Sequence, residues 1–246
     1  MPLTPSSPAI PILLYHKVGP VPKGVRRRGQ FVPPPLFRRH LQHLRRRAYR
    51  AVPLSQLRQH LGDEPAPHGA KLVAITFDDG YLNLHAHALP LLAEFGIPAT
   101  VFLVAGHLGG ESAWDAAEGD SPLPLLGLAQ LREMAAAGIE FGSHGMTHAH
   151  LAGLAAPAAC AEVTSSKQRL EDALGTPCRS FAYPYGEHTP ELRRLVREAG
   201  YELACATQLG VVRPHPDWFA LPRVNIRRYS LLPRFWAKLR AAHRPG

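Results

Sequence analysis

Short, mainly apolar segments alternate with longer amphipathic segments along this chain, and this alternation limits the folds that it can adopt. The apolar segments have the length and composition of buried strands, and they lie at 12–15, 72–77, 98–104, 139–141, 179–182, 201–206 and 221–226. The main segments between them have helical apolar spacing, which predicts helices at 35–49, 82–95, 128–137, 157–174, 190–199 and 230–242. Strands that alternate with helices form a parallel sheet, and about seven such units in one domain favour a closed barrel.

The size and composition of the chain are those of a globular protein. Its 246 residues are 46% hydrophobic, which suffices for a full core. We expect a single domain over 1–246, because no repeat or low-complexity linker divides the chain. No apolar run approaches the roughly 20 residues of a membrane-spanning helix, and the first residues lack the basic start of a secretory signal. These features predict a cytoplasmic protein with reduced cysteines.

Positive charge is concentrated in the first quarter of the chain. Residues 1–62 contain twelve Lys or Arg and no Asp or Glu, whereas the rest contains sixteen basic and nineteen acidic residues. This basic quarter could contact an anionic polymer or a membrane surface, although a solvated helix face is the simpler interpretation. No nucleic-acid-binding motif or aromatic stacking platform accompanies the arginines, so we expect no specific nucleic-acid partner.

Two adjacent carboxylates follow one of the predicted strands. Asp78 and Asp79 stand between the strand 72–77 and Gly80. Carboxylates at the end of a buried strand are costly to desolvate unless a partner uses them. A divalent metal would hold one as a ligand and leave its neighbour free to act as a base. An ordinary Asp-Asp-Gly turn is the alternative that this stretch alone leaves open.

Two histidines four residues apart follow another predicted strand. His144 and His148 would lie on one face of a helical turn, where both imidazoles could bind one cation. The chain has fourteen histidines, so such a pair also arises by chance. The Glu of an HExxH protease motif is absent, and Asp78 could supply the base instead. Two His and one carboxylate leave positions on a metal open for water and substrate.

The aspartate pair and the histidine pair follow different predicted strands. Two other polar segments also lie at strand ends, Tyr15-His16 and Tyr183-Pro184-Tyr185-Gly186. The carboxyl ends of the strands of a parallel barrel share one rim, and the sites of such barrels lie there. We therefore expect residues that are far apart in sequence to converge on one pocket.

The stretches TFDDG at 76–80, SHGMTH at 143–148 and FAYPYG at 181–186 resemble the motifs of the polysaccharide deacetylase family, which is carbohydrate esterase family 4. Their order and spacing cover about residues 10–226, the expected catalytic core of the domain. The Ala-Tyr-Pro-Tyr-Gly form of the third motif resembles the branch of poly-N-acetylglucosamine deacetylases. The resemblance implies a distorted (β/α)7 barrel, similar to a TIM barrel, that removes acetyl groups from sugars with a divalent metal. Zn²⁺ is expected, with Co²⁺, Ni²⁺ or Fe²⁺ as alternatives.

The resemblance also implies roles for individual residues. Asp79, His144 and His148 would be the metal ligands, Asp78 the general base, and the backbone N–H of Tyr185 an oxyanion donor. The expected partner is an acetylated amino-sugar substrate.

Two positions depart from the common pattern of the family. Ala182 stands where many members have an arginine that orients the base, and Arg223 on the late strand could replace it. Many members supply the general acid as a histidine on a C-terminal strand, where this chain offers Asn225. The branch named above takes that histidine from an N-terminal strand, which points to His16. Trp114, in a long segment at 105–127 that is predicted to be a loop, could pack against a sugar ring or, equally, against the core or the loop itself.

Two other functions use the same residues. Two His and one carboxylate also form the facial triad of non-haem Fe(II) enzymes, but the adjacent Asp78 would then have no role. A non-catalytic carbohydrate-binding protein is the second alternative, and the intact set of acidic and histidine residues argues against it.

Overall fold

The structure is a computed structural model that describes residues 9–61 and 71–242. Its strands are β1 (Ile12–Tyr15), β2 (Lys17–Val18), β3 (Phe31–Val32), β4 (Tyr49–Ala51), β5 (Lys71–Phe77), β6 (Thr100–Leu103), β7 (Glu140–Ser143), β8 (Ser180–Ala182), β9 (Leu203–Cys205) and β10 (Val224–Asn225). Its α-helices are α1 (Pro34–Arg46), α2 (Leu57–Leu61), α3 (Leu89–Phe95), α4 (Ala113–Ala117), α5 (Leu128–Ala136), α6 (Ala156–Leu174), α7 (Pro190–Glu198) and α8 (Leu232–Ala242).

Seven strands form a parallel sheet in the order β10-β1-β5-β6-β7-β8-β9, and β4 pairs with the start of β5. The segment 221–225 closes this sheet on itself. It begins with a parallel bridge from Leu221 to Cys205 of β9 and continues into β10, which pairs with β1. The prediction of a distorted (β/α)7 barrel is therefore confirmed.

The core lies inside the barrel and between the barrel and its helices. In β5 every residue after the exposed Lys71 is buried, which explains why residues 72–77 include no charged side chain. On α1 the apolar side chains of Phe37, Leu41 and Leu44 are buried at helical spacing. Gly96 ends α3 in the left-handed conformation that glycine adopts most readily, with φ 62°.

The structure differs from the sequence prediction at several element boundaries. The helix predicted at 35–49 ends at Arg46, because Ala48 adopts φ 59° and turns the chain into β4. The helix predicted at 82–95 is a π-helical turn at 84–88 followed by α3. Pro90 lacks the N–H that a continuous helix would need there. The segment 105–127, predicted as a loop, contains α4.

None of the helices within the described ranges is long and apolar enough to cross a bilayer. The cytoplasmic location and the single domain over 1–246 stay predictions, and residues 1–8, 62–70 and 243–246 lie outside the described part of the chain.

Candidate active site

One pocket opens at the carboxyl ends of the barrel strands, and residues from different strands line it. His16 follows β1, Asp78 and Asp79 follow β5, and His144 follows β7. The parallel register sets these positions: the backbone N–H of Asp78 donates to the carbonyl oxygen of Tyr15 at 3.0 Å, which brings the ends of β5 and β1 together. Polar residues that follow different strands in the sequence thus form one cluster in space.

Three side chains in this pocket form a candidate metal centre. The Oδ1 atom of Asp79 lies 3.3 Å from the Nε2 atom of His144 and 3.3 Å from the Nε2 atom of His148. All three residues are buried, and their ligand atoms lie within 4.8 Å of one another. Burial alone would raise the pKa of Asp79, yet hydrogen bonding to both imidazoles holds this pKa well below its usual range.

The donor atoms of these residues fit a divalent cation. His144 donates its Nδ1 proton to the carbonyl oxygen of Ala182 at 2.7 Å, so in the neutral imidazole the lone pair of Nε2 faces Asp79. A lone pair that faces a carboxylate oxygen is favourable only when a cation or a proton lies between them. Tetrahedral N and O ligands of zinc, with bonds of about 2.0–2.1 Å, lie about 3.3–3.4 Å apart. The separations around Asp79 match that spacing, so these three residues could bind a divalent metal.

The two histidines do not lie on a helical turn, and that prediction was wrong. They belong to the loop that follows β7, in which Gly145 has φ 80° and His148 has φ 64°. Glu162 of α6 holds this loop: its carboxylate accepts from the backbone N–H groups of Met146 at 2.8 Å and Thr147 at 3.0 Å, and from the Thr147 hydroxyl at 2.6 Å. The loop, rather than helix periodicity, turns both Nε2 atoms towards Asp79.

The backbone of the pocket is strained at three positions. Asp79, His148 and Tyr185 have φ values of 74°, 64° and 60°, in the left-handed region that non-glycine residues rarely adopt. Each such residue costs about 1–3 kcal/mol and persists only where its surroundings fix it. Strain of this kind clusters at functional sites, and here it coincides with the candidate metal ligands and the motif Tyr185.

Asp78 is held by a buried arginine. The Arg223 guanidinium donates from Nη1 to Oδ1 at 2.7 Å and from Nη2 to Oδ2 at 2.8 Å, and neither residue is more than 2% exposed. Nε of Arg223 donates to the carbonyl oxygen of Ala206 at 2.8 Å, which fixes the plane of the guanidinium. Burial alone would raise the pKa of Asp78, but Arg223 lowers it below its usual range. The arginine that the sequence places just before β10 thus occupies the position of an orienting partner for Asp78.

His16 and Tyr185 line the same pocket as Asp78 and Asp79. Burial lowers the pKa of His16, and the charges of Asp79 and Asp78 act in the opposite direction. The Tyr185 ring packs edge-on against His148, with centroids 4.7 Å apart, and stacks on His150 at 3.7 Å. Both residues are therefore placed to contact a group bound at the cluster.

Trp114 contacts one of the candidate metal ligands, a contact that the sequence did not predict. Its ring stacks on His148 with centroids 4.6 Å apart, and its indole N–H donates to the Tyr81 hydroxyl at 3.3 Å. Asp115 accepts from that same hydroxyl at 2.8 Å and lies 3.5 Å from the buried ammonium of Lys17. Lys17 gave no signal in the sequence, because lysine is usually a surface residue.

Known proteins are similar to this chain in sequence. The family model described as polysaccharide deacetylase matches residues 66–204. The Bacillus subtilis protein YxkH, named as a polysaccharide deacetylase, is 28% identical over 88% of this chain and 71% of its own length. A poly-beta-1,6-N-acetyl-D-glucosamine N-deacetylase of Staphylococcus aureus is 26% identical over 63% of this chain. That match spans about half of the staphylococcal protein, 54% of its length.

Solved structures share the fold. The deacetylase PplD of Streptococcus pyogenes superposes with a TM-score of 0.80 at 23% identity, over 98% of this chain and 100% of that one. IcaB from Ammonifex degensii superposes with a TM-score of 0.78 at 28% identity, over 94% of this chain and 96% of that one. These findings confirm the resemblance and the deacetylase activity predicted from the sequence. Because the family model covers more than half of the sequence, this chain belongs to the polysaccharide deacetylase family.

Proposed function

We propose that this protein is a metal-dependent hydrolase that removes acetyl groups from N-acetylated amino sugars in a polysaccharide or glycoconjugate and releases acetate. The observation that carries the proposal is the position of Asp78, held by Arg223, directly beside the cluster of Asp79, His144 and His148. The similarity to a poly-beta-1,6-N-acetyl-D-glucosamine N-deacetylase supports an amide, rather than an ester, as the bond that is cleaved.

The metal would be held by Asp79, His144 and His148, and zinc suits this set of one carboxylate and two imidazoles. Co²⁺, Ni²⁺ or Fe²⁺ could bind the same ligands. When bound, the metal supplies Lewis-acid polarisation of the acetyl carbonyl and a lowered pKa for water.

Asp78 acts as the general base that takes a proton from the attacking water. Arg223 keeps this carboxylate ionised and fixes its orientation, and each carboxylate oxygen retains a lone pair beyond its bond to the guanidinium. A non-haem Fe(II) enzyme or a sugar-binding protein would leave this buried and strongly oriented carboxylate without a task.

Two further groups act on the acetamide itself. The backbone N–H of Tyr185 donates to the oxyanion that forms on the acetyl carbon. His16, as imidazolium, gives a proton to the sugar nitrogen as the C–N bond breaks, because an amide anion is a poor leaving group. The proton gained by Asp78 balances the proton lost by His16, and exchange with solvent restores both groups. The products are acetate and a free amine on the sugar.

Acetate release and metal content test this proposal together. The purified protein is loaded with Zn²⁺, and acetate is measured enzymatically from an N-acetylglucosamine oligosaccharide. We expect activity that a chelator removes and Zn²⁺ restores, and we expect Asp79→Ala and His148→Ala to lose both bound metal and activity. Full activity of either variant without bound metal would contradict the assignment of the ligands.

A further inference from the structure

The basic first quarter of the chain divides between the two ends of the barrel. Arg45 to Arg47 close α1 just before β4, which pairs with the first residues of β5 and so lies at the end opposite to Asp78. Arg26 to Arg28 instead lie beside the mouth of the active-site pocket, where Arg27 is one of the lining residues. The basic residues of the first quarter of the sequence therefore form two separate surfaces, one at each end of the barrel.

Two more arginines join the three at the pocket mouth. The backbone N–H of Arg228 donates to the carbonyl oxygen of Gly29 at 2.8 Å, which ties segment 227–228 to segment 26–29. Arg227 also lines the pocket. We call the five residues of these two segments the arginine rim; they are Arg26, Arg27, Arg28, Arg227 and Arg228.

The backbone under the rim is fixed, so its charges are held at the mouth. The carboxylate of Asp120 accepts from the backbone N–H groups of Arg26 and Arg27, each at 2.8 Å. The side chain of Arg27 forms an ion pair with Glu118, another residue of the pocket wall. Within residues 9–61 and 71–242, no carboxylate forms an ion pair with Arg227, whose side chain is exposed at the mouth. The positive charge of Arg227 at the mouth is therefore not neutralised by a carboxylate of the described residues.

This charge conflicts with a substrate that becomes positive. Each deacetylation leaves an amine, which is protonated at neutral pH and is repelled by a cationic rim. Guanidinium groups bind carboxylate and phosphate through paired hydrogen bonds, and clefts lined by one sign of charge concentrate ligands of the opposite sign. We propose that the substrate is an N-acetylated amino sugar that carries an anionic group, a carboxylate or a phosphate, near the acetylated residue, and that Arg227 and Arg27 bind that group. This inference rests on the proposed deacetylase function and adds the substrate class.

Glu118 makes the inference testable in two directions. It competes with the substrate anion for Arg27, so Glu118→Gln should strengthen the binding of an anionic sugar. Arg227→Gln and the double variant Arg27→Gln/Arg227→Gln should weaken it. Arg46→Gln, at the opposite end of the barrel, removes the same charge and is the matched control.

The experiment compares three probes of equal length. They are a neutral N-acetylglucosamine tetrasaccharide, the same tetrasaccharide with a terminal phosphate monoester, and a tetrasaccharide of alternating N-acetylglucosamine and glucuronate. Binding is measured by titration calorimetry at low and high salt, and kcat/KM by acetate release. We expect at least one anionic probe to bind about 10-fold or more tighter than the neutral one at low salt, with the preference reduced by salt. The better of the two anionic probes identifies the group as phosphate or carboxylate.

The results separate this inference from the deacetylase proposal. Equal binding of all three probes, or a preference that survives in Arg27→Gln/Arg227→Gln, overturns the inference even if acetate is released. A preference that Arg227→Gln lowers, Glu118→Gln raises and Arg46→Gln leaves unchanged supports it. If that pattern appears while no probe yields acetate, the rim binds anionic sugars as inferred and the proposed hydrolysis is wrong.

Discussion

Replacement of Arg223 by methionine tests how the barrel holds its proposed base. The variant keeps the apolar stem of the side chain and removes the guanidinium that donates to both oxygens of Asp78 at 2.7 and 2.8 Å. Hydrogen bonds to charged groups contribute about 1.5–3 kcal/mol each, and loss of one partner of a buried ion pair costs about 3–5 kcal/mol. We take the second range, because Arg223 is 0% and Asp78 2% exposed. At about 2–4 °C per kcal/mol for a chain of this size, Tm should fall by about 6–20 °C.

The loss of unfolding free energy in Arg223→Met should grow as pH rises. In the wild type the pKa of Asp78 is lowered, so its contribution to stability is present above the unfolded pKa and disappears as pH falls through the folded pKa. Without Arg223 burial dominates and raises the pKa of Asp78, so the variant loses stability as pH rises above about 4. The difference in unfolding free energy between wild type and variant should therefore be larger at pH 7 than at pH 4.5.

Denaturant unfolding followed by circular dichroism at both pH values measures this difference. Arg193→Met breaks the more exposed ion pair with Asp217 and is the matched control, with an expected cost of less than about 1 kcal/mol. Arg223→Lys keeps the charge but loses the paired hydrogen bonds, and it should lie between wild type and Arg223→Met. A loss below about 1 kcal/mol for Arg223→Met, equal at pH 4.5 and pH 7, would refute the reasoning.

Two further predictions concern the loop of the metal ligands and a buried histidine. Glu162→Gln removes the charge that holds the His148 loop, and it should lower zinc affinity about 10–100-fold in a chelator competition. Glu198→Gln, on the exposed face of α7, is the control and should leave the zinc affinity unchanged. Equal zinc affinities of Glu162→Gln and the wild type would show that Glu162 does not position the loop. Burial lowers the pKa of His40 to about 4 from 6.5, so wild-type stability should fall by about 3 kcal/mol as pH drops from 6.5 to 4. His40→Gln should remove that part of the pH slope, and an unchanged slope in unfolding experiments would contradict it.

The barrel was predictable because its strands are buried on both faces. Residues 72–77 have no place for a charge, and the glycines that end helices, such as Gly96, mark where each unit stops. The strand β4 escaped prediction because Tyr49, Arg50 and Ala51 are partly or fully exposed and carry no apolar pattern. The strands β2 and β3 are buried, but they escaped prediction because two residues are too few to show a strand pattern.

The pocket was predictable to the extent that its chemistry is local in sequence. Residue type and position after a strand were enough to identify Asp78 and Asp79 and the pair His144 and His148. The Asp78–Arg223 pair spans 145 residues. The family resemblance suggested Arg223 for this role, but the contact itself depends on the closure of the barrel through 221–225. Glu162 and Lys17 could not be predicted, because their function is to hold a loop or a side chain whose path the sequence does not specify.

The central claim is that adjacent aspartates have different tasks, with Asp79 a metal ligand and Asp78 a base. It is tested most directly by measuring bound zinc and acetate release in Asp78→Asn and Asp79→Asn beside the wild type. We predict that Asp78→Asn binds one zinc per chain, as the wild type does, and loses about 10²–10⁴-fold of kcat. Asp79→Asn should lose both the zinc and the activity. Wild-type kcat in Asp78→Asn, or wild-type zinc affinity in Asp79→Asn, would contradict the claim.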